Sequence, residues 1–144
     1  MKLFIYEMVC GGGAALPSDC DGQLAQINDF LTLPALVADG SAMLLSVAQY
    51  CQMLPAVEII VTVDSRLESL ARTLKSRGVT VRVVDVRDPW SQFVHACRDA
   101  DRCIVIAPEL NSLLRLAIEK CNAGGHGKLI GPDQDLLAIG VDKV

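Results

Sequence analysis

Three consecutive glycines, Gly11-Gly12-Gly13, close an apolar run that begins at Lys2. Glycine has no Cβ, so the chain can turn sharply there and another molecule can approach the backbone. Glu7 ends the same run, and its carboxylate needs a partner if it is buried. A second apolar run, Arg102 to Ala107, leads into Pro108-Glu109-Leu110-Asn111. Glu109 falls in the first turn of a helix, where the macrodipole favours a carboxylate by about 0.3–1 kcal/mol. Its other use is to grip an amine or hydroxyl of a small substrate. Glu7, Gly11, Gly12, Gly13, Glu109 and Asn111 therefore form the candidate substrate-binding set.

Other chemistries fit poorly. There is no Ser/His/Asp order, no pair of carboxylates in distinct settings and no Gly-Lys-Ser/Thr phosphate loop, so no catalytic set is assigned. A dinucleotide fingerprint fails at its third glycine, where Leu16 stands, and the acid after the second strand, Asp64, lies about fifty residues beyond the glycines rather than about 20. The six cysteines, Cys10, Cys20, Cys51, Cys97, Cys103 and Cys121, include no Cys-x-x-Cys pair. His95 sits on a helix face and His126 in a glycine turn, neither near a second ligand in sequence. The spacing thus argues against zinc, and Cys51, Cys97 and Cys103 read as small core residues in apolar segments.

The elements that must hold these residues alternate. Strands are expected at Leu3–Tyr6, Val57–Val63, Val79–Val86, Arg102–Ala107 and Lys128–Ile130. Between them lie helices from Pro34 to Leu54, from a Ser65/Glu68 capping box to Arg77, from Asp88-Pro89 to Ala100, and from Pro108 to Gly124. The first helix is expected to face inward through Leu36, Gly40, Met43, Leu44, Val47, Cys51 and Leu54, with Gly40 at a close helix–strand contact. Residues 16–33 read as a long loop, with a poor helical pattern at Gln23–Leu31, and Leu136–Ile139 as a last helical turn. Alternation at this spacing means βαβ units: an α/β, three-layer Rossmann-like domain with a mostly parallel sheet of about five strands, order 3-2-1-4-5. Ligands of such sheets sit where the strand order reverses, here between strands one and four.

Composition narrows the class. The chain of 144 residues suits one domain, 51% hydrophobic but only 4% aromatic, so its core is mostly aliphatic. A net charge of −4 offers no basic patch for nucleic acid. No apolar run approaches the roughly 18 residues that cross a bilayer. Scattered cysteines suit a reducing cytoplasm.

Several motifs together resemble a known family. Phe4-Ile5-Tyr6-Glu7 with Gly11-Gly12-Gly13, Asp39-Gly40-Ser41-Ala42-Met43-Leu44, Ile106-Ala107-Pro108-Glu109-Leu110-Asn111, Leu129-Ile130-Gly131-Pro132 and Asp142-Lys143 are similar to the N-terminal (pre-ATP-grasp) domain of ATP-grasp enzymes, in the group with tyramine–glutamate ligase-like proteins. The family's first helix usually carries Glu where Asp39 stands. The resemblance spans essentially the whole chain. It implies a cytoplasmic, ATP-dependent carboxylate–amine ligase that activates an acid as an acyl phosphate with ATP and Mg²⁺ and passes it to an amine. It also implies that residues 1–144 form one wall of the substrate site, with Lys143 as the matching ATP contact. The ATP-grasp fold proper, with most nucleotide and metal ligands, would follow residue 144 and is the expected partner. Residues 1–144 alone are then expected to hold no cofactor and to lack ligase activity. A face normally covered by that domain would favour homodimers. The contrasting hypothesis is a stand-alone α/β module that binds a small molecule or nucleotide without catalysis.

Overall fold

The computed structural model describes residues 1–13, 34–85, 87–107, 113–125 and 128–131. β1 (Lys2–Glu7), β2 (Glu58–Asp64), β3 (Thr80–Val84) and β4 (Arg102–Ile106) form one sheet in the order β3-β2-β1-β4. Every pairing is parallel, with Phe4 opposite both Ile60 and Cys103. β1 and β2 bury almost every residue because helices cover both their faces, which is why they read as continuous apolar runs. β3 pairs with β2 alone and leaves Val83 49% exposed, as an edge strand does.

The helices are α1 (Pro34–Gln52), α2 (Glu68–Ser76), α3 (Pro89–Asp99) and α4 (Leu113–Gly124). α1 and α2 pack Leu44, Ala48, Leu70, Ala71 and Leu74 against Leu3, Ile5, Ile59, Val61 and Val63 on one face. α3 and α4 pack Phe93, Ala96, Cys97, Leu113, Ala117 and Cys121 against Phe4, Tyr6, Ile60 and Cys103 on the other. The result is three layers, α/β/α. Asp88 caps α3 by accepting from the Ser91 amide, and Pro89 opens that helix. Gly78, at φ 80°, ends the turn after α2.

Three expectations are corrected. Among the described residues the sheet has four strands, not five: Lys128–Ile130 contributes only a bridge, in which the Cys103 amide donates to the Lys128 carbonyl and the Ile130 amide donates to the Cys103 carbonyl. The Ser65/Glu68 capping box does not form. The turn instead closes by Leu67 N–H to the Asp64 carbonyl, and α2 starts at Glu68 with no side-chain cap. The inward line of α1 is Gly40, Leu44 and Ala48, whereas Leu36, Met43 and Leu54 are 40%, 47% and 51% exposed. Small residues at i and i+8 set how closely that helix approaches the sheet, so its larger residues rotate outward. The expected Pro108 start of α4, and the segments Gln23–Leu31 and Leu136–Ile139, lie outside the described residues.

Candidate functional site at the carboxyl ends of the strands

Strand order reverses between β1 and β4, and their carboxyl ends lie side by side, Glu7 opposite Ile106. The Met8 amide extends that pairing by donating to the Ile106 carbonyl at 2.9 Å. β1 then turns into the glycine loop. Glu7 is 2% exposed, and its carboxylate accepts from the Val9 amide at 3.1 Å and the Cys10 amide at 2.8 Å. Those bonds offset the cost of burying it. They also explain Gly40 on α1: a Cβ there would stand 2.7 Å from Glu7 Oε2. The expected close helix–strand contact at Gly40 is present.

The loop is packed against its own domain. Asp64 N–H donates to the Cys10 carbonyl at 2.7 Å, drawing the loop across the end of β2. Gly12 has φ 94°, and a Cβ on it would meet Val84 Cγ1, at the end of β3, at 2.7 Å. At Gly11 and Gly13 the corresponding space holds the Tyr6 ring and hydroxyl, with Met8 also against Gly13. These glycines are thus needed for close approach of protein to protein, and they offer no open cradle for a phosphate.

Two further groups line this end. Asp64, 1% exposed, accepts two guanidinium bonds from Arg66, at 2.9 and 2.7 Å, together with the Arg66 amide. The pairing pushes the Arg66 pKa up, first through the hydrogen bond to Asp64. The Cys10 thiol lies 3.5 Å from Ser41 Oγ, and burial raises it to about 12, so it is no nucleophile at neutral pH. Neither Asp64–Arg66 nor Cys10 was singled out for this end from sequence. A carboxylate closing a buried strand was the available signal for Asp64.

Of the sequence-predicted site residues, Glu7 at the end of β1 and Gly11, Gly12 and Gly13 on the loop after it are brought together. Glu109, Asn111 and Lys143 lie outside the described residues. Among the described residues no helix is long and apolar enough to cross a membrane.

A separate group escaped the sequence reading. Cys97, Cys103 and Cys121 place their sulfurs within 4.8 Å of one another at the other end of β4. They come from three elements, so no local spacing announces them.

A family model described as the pre ATP-grasp 3 domain matches residues 57–130, from just before β2 through the bridge to β4. Comparison with curated proteins and with solved structures finds no match.

Proposed function

The chain belongs to the pre ATP-grasp 3 domain family, and from that premise we propose that it is the substrate-side domain of an ATP-dependent carboxylate–amine ligase. The family match carries the reading, and the α/β/α layers with a parallel sheet reversing at β1/β4 support it. In this reading ATP and Mg²⁺ are held chiefly by an ATP-grasp domain, which is the partner of this one, and the reaction is cytoplasmic. Lys143 is the residue this chain contributes to the nucleotide. The packed glycine loop does not fit a phosphate, so no nucleotide step is assigned to it. Glu7 fixes the loop through two amides, and the loop shapes the wall of the crevice. Glu109 and Asn111 are the proposed contacts to the amine or acid, a carboxylate suiting an ammonium group. A tyramine- or glutamate-like pair is the finer proposal, resting on resemblance alone.

The test uses the full reading frame that contains these residues. The protein is incubated with ATP, Mg²⁺ and a panel of amino-acid carboxylates and primary amines, and amide product and ADP are quantified together. Expected are ADP and amide in equal amounts, with Glu109→Gln raising KM for one substrate while ATP binding is unchanged. A folded protein that forms ADP with no ligated product, or binds no nucleotide at all, overturns the ligase reading in favour of a non-catalytic binding module. Residues 1–144 alone are expected to form no product.

A further inference from the structure

Cys97 on α3, Cys103 in β4 and Cys121 on α4 are each fully buried, and their three Sγ atoms lie within 4.8 Å of one another. The cluster is remote from the glycine loop along the strand: Cys103 is the second residue of β4, opposite Phe4, whereas the loop begins after Glu7. We propose that these three thiols form a binding site for a thiophilic divalent d¹⁰ cation of the zinc class.

The geometry suits such an ion. A metal–sulfur bond of about 2.3 Å places sulfurs about 3.8 Å apart around a tetrahedral centre. A contraction of at most about 1 Å from the present spread closes the site on that geometry. Thiolate donors with no carboxylate among them select soft ions over magnesium or calcium. On loading, each thiol releases its proton to solvent and forms one sulfur–metal bond. A divalent ion with three thiolates carries a net charge of −1.

The structure supplies one compensating cation. Lys128 Nζ donates to the carbonyls of Cys97 at 3.1 Å and Arg98 at 2.8 Å, which fixes the ammonium beside the cluster. Its charge balances a divalent complex, while a monovalent ion would still leave −1 in a buried setting, which is costly. The bridge at Cys103 runs through Lys128–Ile130, and Leu129 packs against this core, so a half-buried segment covers the site. Three protein ligands leave a fourth position for water. This proposal stands independently of the ligase reading.

The test begins with reduced, metal-free chain titrated with Co²⁺. Expected are one ion per chain, an intense sulfur-to-cobalt charge-transfer band, release of three protons per ion, and displacement by Zn²⁺. Cys121→Ala and Cys103→Ser should each weaken Co²⁺ binding more than about a hundredfold, beyond the cost of losing a supporting contact. Cys51→Ala, whose thiol lies on α1 outside the cluster, should leave the band unchanged. Circular dichroism reports whether each variant folds. X-ray absorption of the Zn²⁺-loaded natural sequence needs no variant and should count three sulfur neighbours at about 2.3 Å. A folded chain with no charge-transfer band, a band that survives in folded Cys121→Ala, or a zinc shell with fewer than three sulfurs would overturn the site.

Discussion

The two helical layers solve the same packing problem with different materials. Beneath α3 and α4 the core is aromatic and sulfur-rich: Phe93 meets Tyr6, Trp90 and Phe4 edge-on with ring centroids 4.6, 5.2 and 5.4 Å apart. Beneath α1 and α2 it is aliphatic, and α1 approaches through Gly40 and Ala48. The outer surfaces differ as well. α3 and α4 carry charges, including Asp99 paired with Arg82 and Arg115 near Glu119. α1 has Asp39 as its one charged residue and exposes Leu36, Met43 and Tyr50. One layer is finished against water, and in the other α2 is charged as well, whereas α1 keeps an apolar exterior of the kind that marks association surfaces.

This contrast can be broken most forcefully at Phe93. Phe93→Ala removes a fully buried ring from four-membered aromatic packing and should cost about 3–5 kcal/mol, read from urea denaturation midpoints at constant slope. A loss below about 1 kcal/mol would mean that the aromatic layer is not what holds α3 to the sheet.

Gly40→Ala tests the opposite layer. Alanine gains about 1 kcal/mol of helix propensity, yet its Cβ would stand 2.7 Å from the buried Glu7 carboxylate. Overpacking of this kind costs about 1–3 kcal/mol, so a small net loss is expected by the same denaturation measurement. A stabilised variant would show that α1 rides more loosely than its close contact implies.

The smallest effect on stability is expected outside. Met43→Lys with Tyr50→Lys should change it by no more than about 0.5 kcal/mol for each substitution. The same pair should convert a self-associating chain to monomer by light scattering. A natural chain that is already monomeric removes the reason for making the variant and limits the contrast between layers to their interiors.

Much of the architecture was legible because buried parallel strands have a distinct signature. Ile59–Val63 and Cys103–Ile106 are continuous β-branched or apolar runs, and Asp88-Pro89 announces a helix by cap chemistry that acts locally. The misreadings share a cause: each needed the third dimension. The line along α1 was drawn through its largest residues, but the smallest ones decide how near a helix can come. The Ser65 cap lost to Asp64, whose carbonyl closes the turn and whose carboxylate Arg66 holds. The fifth strand looked complete in composition, but a strand needs a sustained partner register, and among the described residues only the bridge of Leu129 to Cys103 forms. At the carboxyl end, Glu7 was recognised but its role was not, because the amides that satisfy it belong to a turn whose shape composition does not specify. The thiol cluster was least visible, since Cys97, Cys103 and Cys121 are united only when α3 and α4 pack side by side over the start of β4.

The central position of β1 bears on how the chain is made. Residues 2–7 are synthesised early, yet their hydrogen-bonding neighbours are residues 58–64 and 102–106, and the Lys2 amide bonds across 99 positions to Asp101. A nascent chain must therefore carry β1 with its β4-facing edge unpaired until residue 106 has emerged. That delay favours slow maturation and makes chaperone attendance during translation valuable for this domain.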